Sequence, residues 1–311
     1  MMDWTDRHCR YFFRLLTQDA RLYTEMVTAS AVLRGDHARL LGYNEAEHPL
    51  ALQLGGSQPR ELADAVRIAG PYAYDEINLN IGCPSDRVQS GRFGACLMAE
   101  PERVAACIAA MCDAASVPIT VKTRIGIDDR DDYEFLVQFV EKVAAAGCQY
   151  FVVHARKAIL AGLSPKENRS IPPLRYDVVY RLKREFPALT VVLNGGVESV
   201  AQVRAHLEHV DGVMIGRKAY GDPWFLANLQ RTGVDSSETT RQDIVIAMTD
   251  YATGQIAAGA RLHHISRHML GLFTGVPGAR RWRRFISESA SRDGADAQLL
   301  IDSLSVFDIA A

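Results

Sequence analysis

The sequence predicts an α/β protein: a TIM (β/α)8 barrel with one strand, the first, missing from the chain, followed by a small all-α domain. Seven strand-like segments alternate with helix-like segments at the spacing of βα units. After about residue 236 the strands stop and only helical segments with glycine joints continue. We therefore expect a barrel over residues 1–235 and a helical domain over residues 236–311. An open doubly wound sheet is the alternative fold, but no G-x-G-x-x-G motif opens any predicted helix.

The predicted strands are apolar or alternating segments that end at glycine, proline or asparagine. They are Leu22–Val27, Pro49–Leu54, Glu76–Ile81, Pro118–Ile125, Tyr150–His154, Thr190–Leu193 and Gly212–Ile215. The predicted helices carry apolar residues at a spacing of three or four. They are Arg7–Leu16, Pro59–Ala69, Pro101–Ala115, Asp132–Ala146, Leu174–Phe186, Ser199–His206, Arg241–Ala258, Arg261–Phe273, Arg280–Ser289 and Asp296–Phe307.

The composition is that of a soluble globular protein. Of the 311 residues, 48% are hydrophobic and 23% are charged, and no run approaches the ~20 apolar residues of a membrane span. No signal peptide opens the chain, so we expect a cytoplasmic protein. The net charge is −2, which means that any nucleic-acid surface must be a local patch. The six cysteines show no C-x-x-C spacing, so we expect neither a metal site nor disulfides.

The strand that begins at Glu76 ends in a cysteine held between a glycine and a proline. Cys83 therefore lies at the tip of a strand, between a residue with a permissive backbone and one that fixes φ. Asn78 and Asn80 alternate with apolar residues, and buried amides need hydrogen-bond partners. A lone cysteine is more often a small buried apolar residue. The amides that converge on this thiol favour a functional site.

Six of the seven predicted strands end in a polar or backbone-exposing group. These groups are Gln53, Asn80 with Cys83, Lys122, His154, Asn194 with Gly195 and Gly196, and Gly216 with Arg217. In a barrel the carboxyl ends of the strands meet at one face, where the chemistry takes place. The glycines after the last two strands, with Arg217, match a phosphate cradle of backbone N–H groups. Taken singly, Lys122 could be a rim cation, His154 a core histidine and the glycines a turn.

The last helical segments are rich in arginine. Seven arginines and no lysine lie between residues 261 and 292, with Glu288 as the one carboxylate in that interval. A solvated basic surface is the ordinary explanation. Guanidinium groups, however, suit phosphates, and a basic helical domain beside a barrel mouth suits a nucleic-acid partner.

These motifs together resemble the tRNA-dihydrouridine synthase family, closest to its A-type bacterial members, over nearly the whole chain. The motifs are Asp3-Trp4-Thr5-Asp6-Arg7-His8-Cys9-Arg10, Leu22–Met26, Ala51–Gly56, Asn78–Asp86, Val121–Gly126, His154–Lys157, Leu163–Arg169, Asn194–Gly196, Gly212–Arg217, His268–Phe273 and Pro277–Arg280.

The resemblance implies an FMN-containing barrel that takes hydride from NADPH and reduces the C5–C6 bond of uridines in the tRNA D-loop, at positions 20 and 20a for A-type members. Cys83 is then the proton donor to C5. The implied FMN contacts are Gln53, Lys122, His154, Asn194, Gly195, Gly196, Gly216 and Arg217. The implied tRNA contacts are Asn80 and, by looser analogy, Lys166, Arg169, Arg280 and Arg283.

One departure from the family pattern lies at the N-terminus. The family opens with a strand that ends in Ala-Pro-Met just before the Asp-Trp-Thr-Asp segment, and here Met1 stands where that methionine is expected. The count of seven strands shows the same gap. Two other classes stay open. A dihydroorotate dehydrogenase-like flavoenzyme has no use for the arginine-rich domain, and a non-catalytic RNA-binding barrel has no use for Cys83, Lys122 and His154 together.

Overall fold

The computed structural model describes residues 1–85, 88, 91–230 and 239–308, and its described strands form one seven-stranded parallel sheet. The strands are β1 (Leu22–Thr28), β2 (Leu50–Gly55), β3 (Glu76–Asn80), β4 (Ile119–Arg124), β5 (Tyr150–His154), β6 (Thr190–Asn194) and β7 (Gly212–Met214). Each strand lies beside the next one in the chain, in the order β1 to β7. This arrangement, with helices around it, is a TIM-barrel-like α/β fold, as the sequence predicted. Among the described strands, β1 and β7 each pair with one neighbour.

Helices follow most strands and then fill the C-terminal part. They are α1 (Arg7–Leu16), α2 (Ala29–Arg34), α3 (His37–Leu41), α4 (Pro59–Ala69), α5 (Pro101–Ala114), α6 (Tyr133–Ala145), α7 (Tyr176–Glu185), α8 (Val200–Leu207), α9 (Arg217–Gly221), α10 (Trp224–Gln230), α11 (Arg241–Ala257), α12 (Leu262–Ser266), α13 (Ala279–Ser289), α14 (Gln298–Asp302) and α15 (Ser305–Asp308). None of the helices in the described ranges is long and apolar enough to span a bilayer.

Local sequence explains where several helices begin. The carboxylate of Asp6 caps α1 by accepting from the backbone N–H groups of His8 and Cys9. A proline occupies the first turn of both α4 and α5, where its missing N–H costs no intrahelical bond. The α8 helix opens with a capping box. The side chains of Ser199 and Gln202 each accept a hydrogen bond from the backbone N–H of the other residue. These signals are local, so the sequence predicted these helices to within one or two residues.

The described chain divides into two compact units. The barrel unit contains Met1, Arg21–Tyr43 and His48–Ile215. The helical unit takes the described residues of Met2–Ala20, Asn44–Glu47 and Gly216–Ala311. The N-terminal helix α1 thus belongs to the helical unit. The expected boundary between residues 235 and 236 falls outside the described residues.

A buried ion pair ties two short segments together within the helical unit. Nε of Arg10 on α1 lies 2.6 Å from Oε2 of Glu47, and both side chains are almost completely buried. Arg14, one turn further on, donates to the backbone oxygen of Glu47. Since a buried charge is tolerated only with a partner, this pair fixes residues 44–47 against α1.

Two predicted helices differ from the structure. The segment Arg261–Phe273 is helical only over Leu262–Ser266 and continues in turns. Beyond Ser266 the backbone forms tighter turns with i→i−3 bonds, such as Met269 N to Ser266 O (3.0 Å) and Leu272 N to Met269 O (2.8 Å). The segment Asp296–Phe307 splits into α14 and α15 at Ser303, whose hydroxyl accepts from Nε1 of Trp282 at 2.8 Å.

Candidate active site at the strand ends

Polar side chains from neighbouring strands meet in register at the carboxyl ends of β3 to β6. Asn80 on β3 pairs with Lys122 on β4, and His154 on β5 pairs with Asn194 on β6. Gln53 on β2 lies beside them, and its Oε1 accepts from Nδ2 of Asn80 at 2.8 Å. We call these five residues the strand-end cluster. The register brings together side chains that the sequence analysis selected one by one.

The loop after β3 is held by a side chain from the strand itself. Oδ1 of Asn80 accepts from the backbone N–H groups of Gly82 and Cys83, at 3.0 and 2.9 Å. The Cys83 thiol is half-buried, with Sγ 3.6 Å from the Oγ of Ser85. Gly94 supports the same loop with a positive φ of 74°, since a Cβ there would lie 2.5 Å from the Cys83 backbone oxygen. The thiol therefore occupies a defined position at the end of β3.

Lys122 carries a partly buried ammonium group. Its Nζ donates to Oδ1 of Asn194 at 3.1 Å. Burial and the neighbouring charge of Arg124 lower the pKa of Lys122 to about 8, although Cys83 raises it. In the part of the chain that the structure describes, no carboxylate forms a salt bridge with Lys122. Among the described residues, the site thus holds a cation that no carboxylate pairs with.

Arg124 lies beside the predicted site residues, and the sequence analysis did not select it. Its guanidinium group donates to three backbone oxygens, those of Gly82 (2.8 Å), Lys157 (2.9 Å) and Asn168 (3.0 Å). Burial lowers the pKa of Arg124 to about 10, although Cys83 raises it. The signal was present, because Lys122 and Arg124 are two residues apart on one strand and point to the same face. Arg124 connects the Cys83 loop to the loop after β5.

His154, Gly195 and Gly196 lie where β5 and β6 end. Gly195 has a φ of 119°, and a Cβ there would approach Cδ2 of the buried His154 ring to 2.6 Å. Gly196 has a φ of 68°, and its Cβ would collide with Leu174. The hydroxyl of Tyr176 donates to the Gly195 backbone oxygen at 2.8 Å, a support that the sequence analysis missed. Only glycine fits this turn.

The loop after β5 carries Lys166 and Arg169 on its surface. Both are exposed, and they flank Asn168, which is fully buried. Asn168 fixes the loop through bonds to both backbone groups of Ile159, at 2.7 and 2.8 Å. Arg169 lies close enough to lower the pKa of Arg124 by its charge. Arg169 thus stands near Arg124, which contacts the Cys83 loop.

The remaining predicted site residues belong to the helical unit. Gly216 is the N-cap of α9, and Arg217 is its first residue. Arg280 and Arg283 lie on α13 with exposed side chains, and Trp282 between them is completely buried. The roles of these four residues stay predictions.

The donor set of the strand-end cluster fits a flavin. A bound flavin mononucleotide brings a phosphate and a ring with several hydrogen-bond acceptors. Lys122 and the amides of Gln53 and Asn80 supply N–H donors. A cation that lacks a carboxylate partner in the described structure accommodates an anionic, acceptor-rich ligand.

A parallel barrel-like sheet with a thiol, amides and cations at the carboxyl ends of its strands defines an enzyme of the TIM-barrel class. The dihydrouridine synthase family model matches residues 1–307, and the chain belongs to this family. Three relatives carry the name tRNA-dihydrouridine(20/20a) synthase. The protein of Shewanella oneidensis is 57% identical over 304 residues, covering 96% of this chain and 90% of its own length. The proteins of Vibrio parahaemolyticus and Escherichia coli K12 are 58% and 56% identical over 307 residues, covering 98% of this chain and 94% and 89% of their own lengths.

Proposed function

We propose that the protein is a flavin-dependent tRNA-dihydrouridine(20/20a) synthase of the cytoplasm that reduces the C5–C6 double bond of D-loop uridines in tRNA. One observation carries this proposal: the Cys83 thiol stands at the end of β3, in a loop fixed by Asn80 and Arg124, beside the ammonium of Lys122. A positioned thiol next to a donor-rich cluster suits reduction of a polarised double bond, which needs a hydride and a proton. The family membership and the names of the relatives support the same reaction.

FMN is the proposed cofactor, and NADPH the proposed reductant. When bound, the flavin supplies the hydride for the C6 atom of the uridine. Lys122, Gln53 and His154 hold its ring system, with Asn194 fixing the position of the Lys122 ammonium. Gly195 and Gly196 of the barrel unit, and Gly216 and Arg217 of the helical unit, are the further proposed FMN contacts.

Cys83 is the proposed general acid. Addition of hydride to C6 leaves negative charge that spreads from C5 onto the neighbouring carbonyl, and the Cys83 thiol donates its proton to C5. The bond that breaks is S–H, and the bond that forms is C5–H. Asn80 and Arg124 hold the loop so that the thiol is presented rather than buried.

The proposed partner is tRNA, and the charged surfaces match it. The target uridine lies within a folded RNA, so the base must leave its stack to reach a site at the ends of barrel strands. Asn80 contacts the base, and the exposed Lys166 and Arg169 contact the nearby backbone. Arg280 and Arg283 on α13 contact phosphates elsewhere on the tRNA.

The test combines two measurements on the purified wild-type protein. A flavin absorbance spectrum and chromatography of the released cofactor identify FMN. The protein is then incubated with NADPH and tRNA from a strain without dihydrouridine synthases, and dihydrouridine is mapped by position. We expect bound FMN and dihydrouridine at positions 20 and 20a. Bound FMN with oxidation of dihydroorotate, and no change in tRNA, would indicate a dihydroorotate dehydrogenase-like enzyme. RNA binding without flavin would indicate a non-catalytic barrel.

A further inference from the structure

A continuous chain of hydrogen bonds runs through the interior of the barrel unit, from a buried carboxylate to the Cys83 loop. Its links, from the loop inward, are Cys83 N to Asn80 Oδ1 (2.9 Å), Asn80 Nδ2 to Gln53 Oε1 (2.8 Å), Gln53 Nε2 to Asn78 Oδ1 (2.9 Å), Asn78 Nδ2 to Thr120 Oγ1 (2.8 Å) and Thr120 Oγ1 to Glu76 Oε1 (2.6 Å). The sheet register creates these links, because Asn78 pairs with Gln53 on β2 and with Thr120 on β4.

Every link of this chain donates in the same direction. Each amide accepts on its oxygen from the loop side and donates through its nitrogen toward Glu76. The two ends agree with that direction, since a backbone N–H can only donate and a carboxylate can only accept. Glu76 is completely buried, and Arg21 approaches its Oε2 at 2.5 Å. The two ends therefore allow only one of the two possible directions of donation along these hydrogen bonds.

The opposite direction of donation would remove the hydrogen bonds that hold the Cys83 loop. An amide side chain has almost the same shape after a half-turn, so packing alone barely distinguishes its two orientations. If Asn80 turned over, its NH2 group would face the N–H groups of Gly82 and Cys83, and the loop would lose both of its hydrogen bonds. Asn78 and Thr120 are fully buried and cannot exchange these bonds for water. The orientation of Asn80 thus depends on what Thr120 and Glu76 do at the far end.

We infer that Thr120 and Glu76 are positioning residues: they fix the orientation of the Asn78, Gln53 and Asn80 amides and thereby the placement of the Cys83 thiol. Thr120 is the decisive link, since its hydroxyl must donate to Glu76 and is therefore free only to accept from Asn78. This inference rests on the proposed function for its catalytic consequence. The placement of the thiol itself can be measured without that function.

The experiment compares three variants in the flavin-loaded protein. Thr120→Val keeps the shape of the side chain and removes the hydroxyl, and Thr120→Ser restores it. Tyr23→Phe is the matched control, because the Tyr23 hydroxyl donates to the same Glu76 oxygen at 2.9 Å but is not a link of the chain. The readouts are single-turnover reduction of tRNA uridine, flavin reduction by NADPH, and the alkylation rate of Cys83 by iodoacetamide, quantified by peptide mass spectrometry.

We expect Thr120→Val to slow uridine reduction roughly 10- to 100-fold, the size of effect that a small misplacement of a catalytic group produces. Flavin reduction should fall by less than uridine reduction, since Gln53 is one of several proposed flavin contacts, and the alkylation rate of Cys83 should change severalfold as the loop loses its fixed position. Thr120→Ser should restore the wild-type rates of uridine reduction and of Cys83 alkylation. Tyr23→Phe should match wild type in both rates. Equal rates in Thr120→Val and wild type would overturn the inference, and so would equal defects in Thr120→Val and Tyr23→Phe.

The inference can still be tested if the proposed function fails or if Thr120→Val does not fold. If wild type forms no dihydrouridine, the proposed function fails, and the alkylation rates of Cys83 still decide the inference. If Thr120→Val does not fold, Glu76→Gln tests the same series of hydrogen bonds at its inner end. The glutamine amide carries N–H donors, whereas the Glu76 carboxylate can only accept. A Cys83 alkylation rate in Glu76→Gln equal to that of wild type would then overturn the inference.

Discussion

The ammonium of Lys122 on β4 donates a 3.1 Å hydrogen bond to the side-chain oxygen of Asn194 on β6, across the intervening strand β5. Nδ2 of Asn194 in turn donates to the Met214 backbone oxygen on β7 at 2.8 Å. The lysine is thereby held by an oriented neutral amide, and in the described ranges no carboxylate forms a salt bridge with it. This arrangement favours an anionic ligand.

We predict that flavin affinity falls as the pH rises through about 8. Burial lowers the pKa of Lys122 to about 8, so the free protein loses the ammonium charge above that pH. A ligand that prefers the charged form should bind up to about tenfold more weakly per pH unit above the pKa. Titration of the flavin-free protein with FMN between about pH 7 and pH 9 measures this. Lys122→Met should bind weakly at every pH. A wild-type affinity that is constant over this range would contradict the prediction.

Arg217→Ala should weaken FMN binding roughly 10- to 100-fold, because a charge-assisted hydrogen bond to phosphate contributes about 1.5–3 kcal/mol. The matched control is Lys218→Ala, which removes the next cation of α9. Lys218 already forms an ion pair with Asp222 at 2.8 Å, so its loss should leave FMN binding unchanged. Flavin content after purification and the dissociation constant give the result. Equal losses in the two variants would point to net charge rather than to a phosphate contact at Arg217.

Cys83→Ala should retain FMN and its reduction by NADPH but slow the reduction of tRNA uridine about 10²- to 10⁴-fold, the usual contribution of a general acid. Single-turnover kinetics with reduced protein and tRNA isolate this step. Cys96→Ala is the control, since Cys96 is also a half-buried cysteine and its thiol donates to the Phe93 backbone oxygen. Wild-type rates in Cys83→Ala would disprove the role, and loss of flavin would assign Cys83 a structural one.

The sequence predicted most strands and their polar ends because both signals are local. The alternation of Asn78 and Asn80 with apolar neighbours showed that these amides are buried, and the structure confirms it. Their partners could not be predicted, since the bond from Asn78 to Thr120 joins residues 42 apart and depends on register. Arg124 was missed because its three acceptors are backbone oxygens of two loops. Every residue type has a backbone oxygen, so the sequence does not show which ones an arginine contacts.

The short helices show a second limit. Helices α2 and α3 contain six and five residues, too few to display a hydrophobic period, and the sequence analysis did not find them. Their N-caps, Thr28 and Asp36, are visible only once a helix is already suspected.

Replacing Arg280 and Arg283 by alanine should weaken tRNA binding and reduce its log–log salt dependence by up to about two units, one for each lost phosphate contact. The control removes the same charge from the same helix, at Arg281 and Arg284. Binding isotherms at several salt concentrations give the slopes. NADPH oxidation without RNA should be unchanged. If both double variants reduce the slope equally, the arginines act only through the net charge of α13.

The last prediction concerns acid stability and rests on two groups of the helical unit. The pKa of His8 is lowered to about 4 from its ordinary 6.5, first by burial, and its Nδ1 lies 2.8 Å from the Tyr251 hydroxyl. For Asp6, burial raises the pKa, but the hydrogen bond and charge of His268, with Arg267 and the Cys9 N–H, outweigh it and lower the pKa well below its usual range. Between pH 6.5 and about 4 the unfolded state therefore binds a proton at His8 that the folded state does not.

Stability should accordingly fall as the pH drops from 6.5 to about 4, by about 1–2 kcal/mol from the partly exposed His8, and the contribution of Asp6 should be lost only at lower pH. Urea unfolding of the helical unit, followed by the fluorescence of its tryptophans, measures this across the range. His8→Gln keeps a hydrogen-bonding group toward Tyr251 without a titrating ring. In this variant the free energy of unfolding should depend less on pH over the same range. His209→Gln, at an exposed histidine of the barrel unit, should retain the full wild-type slope. An unchanged slope in His8→Gln would show that another group causes the acid sensitivity.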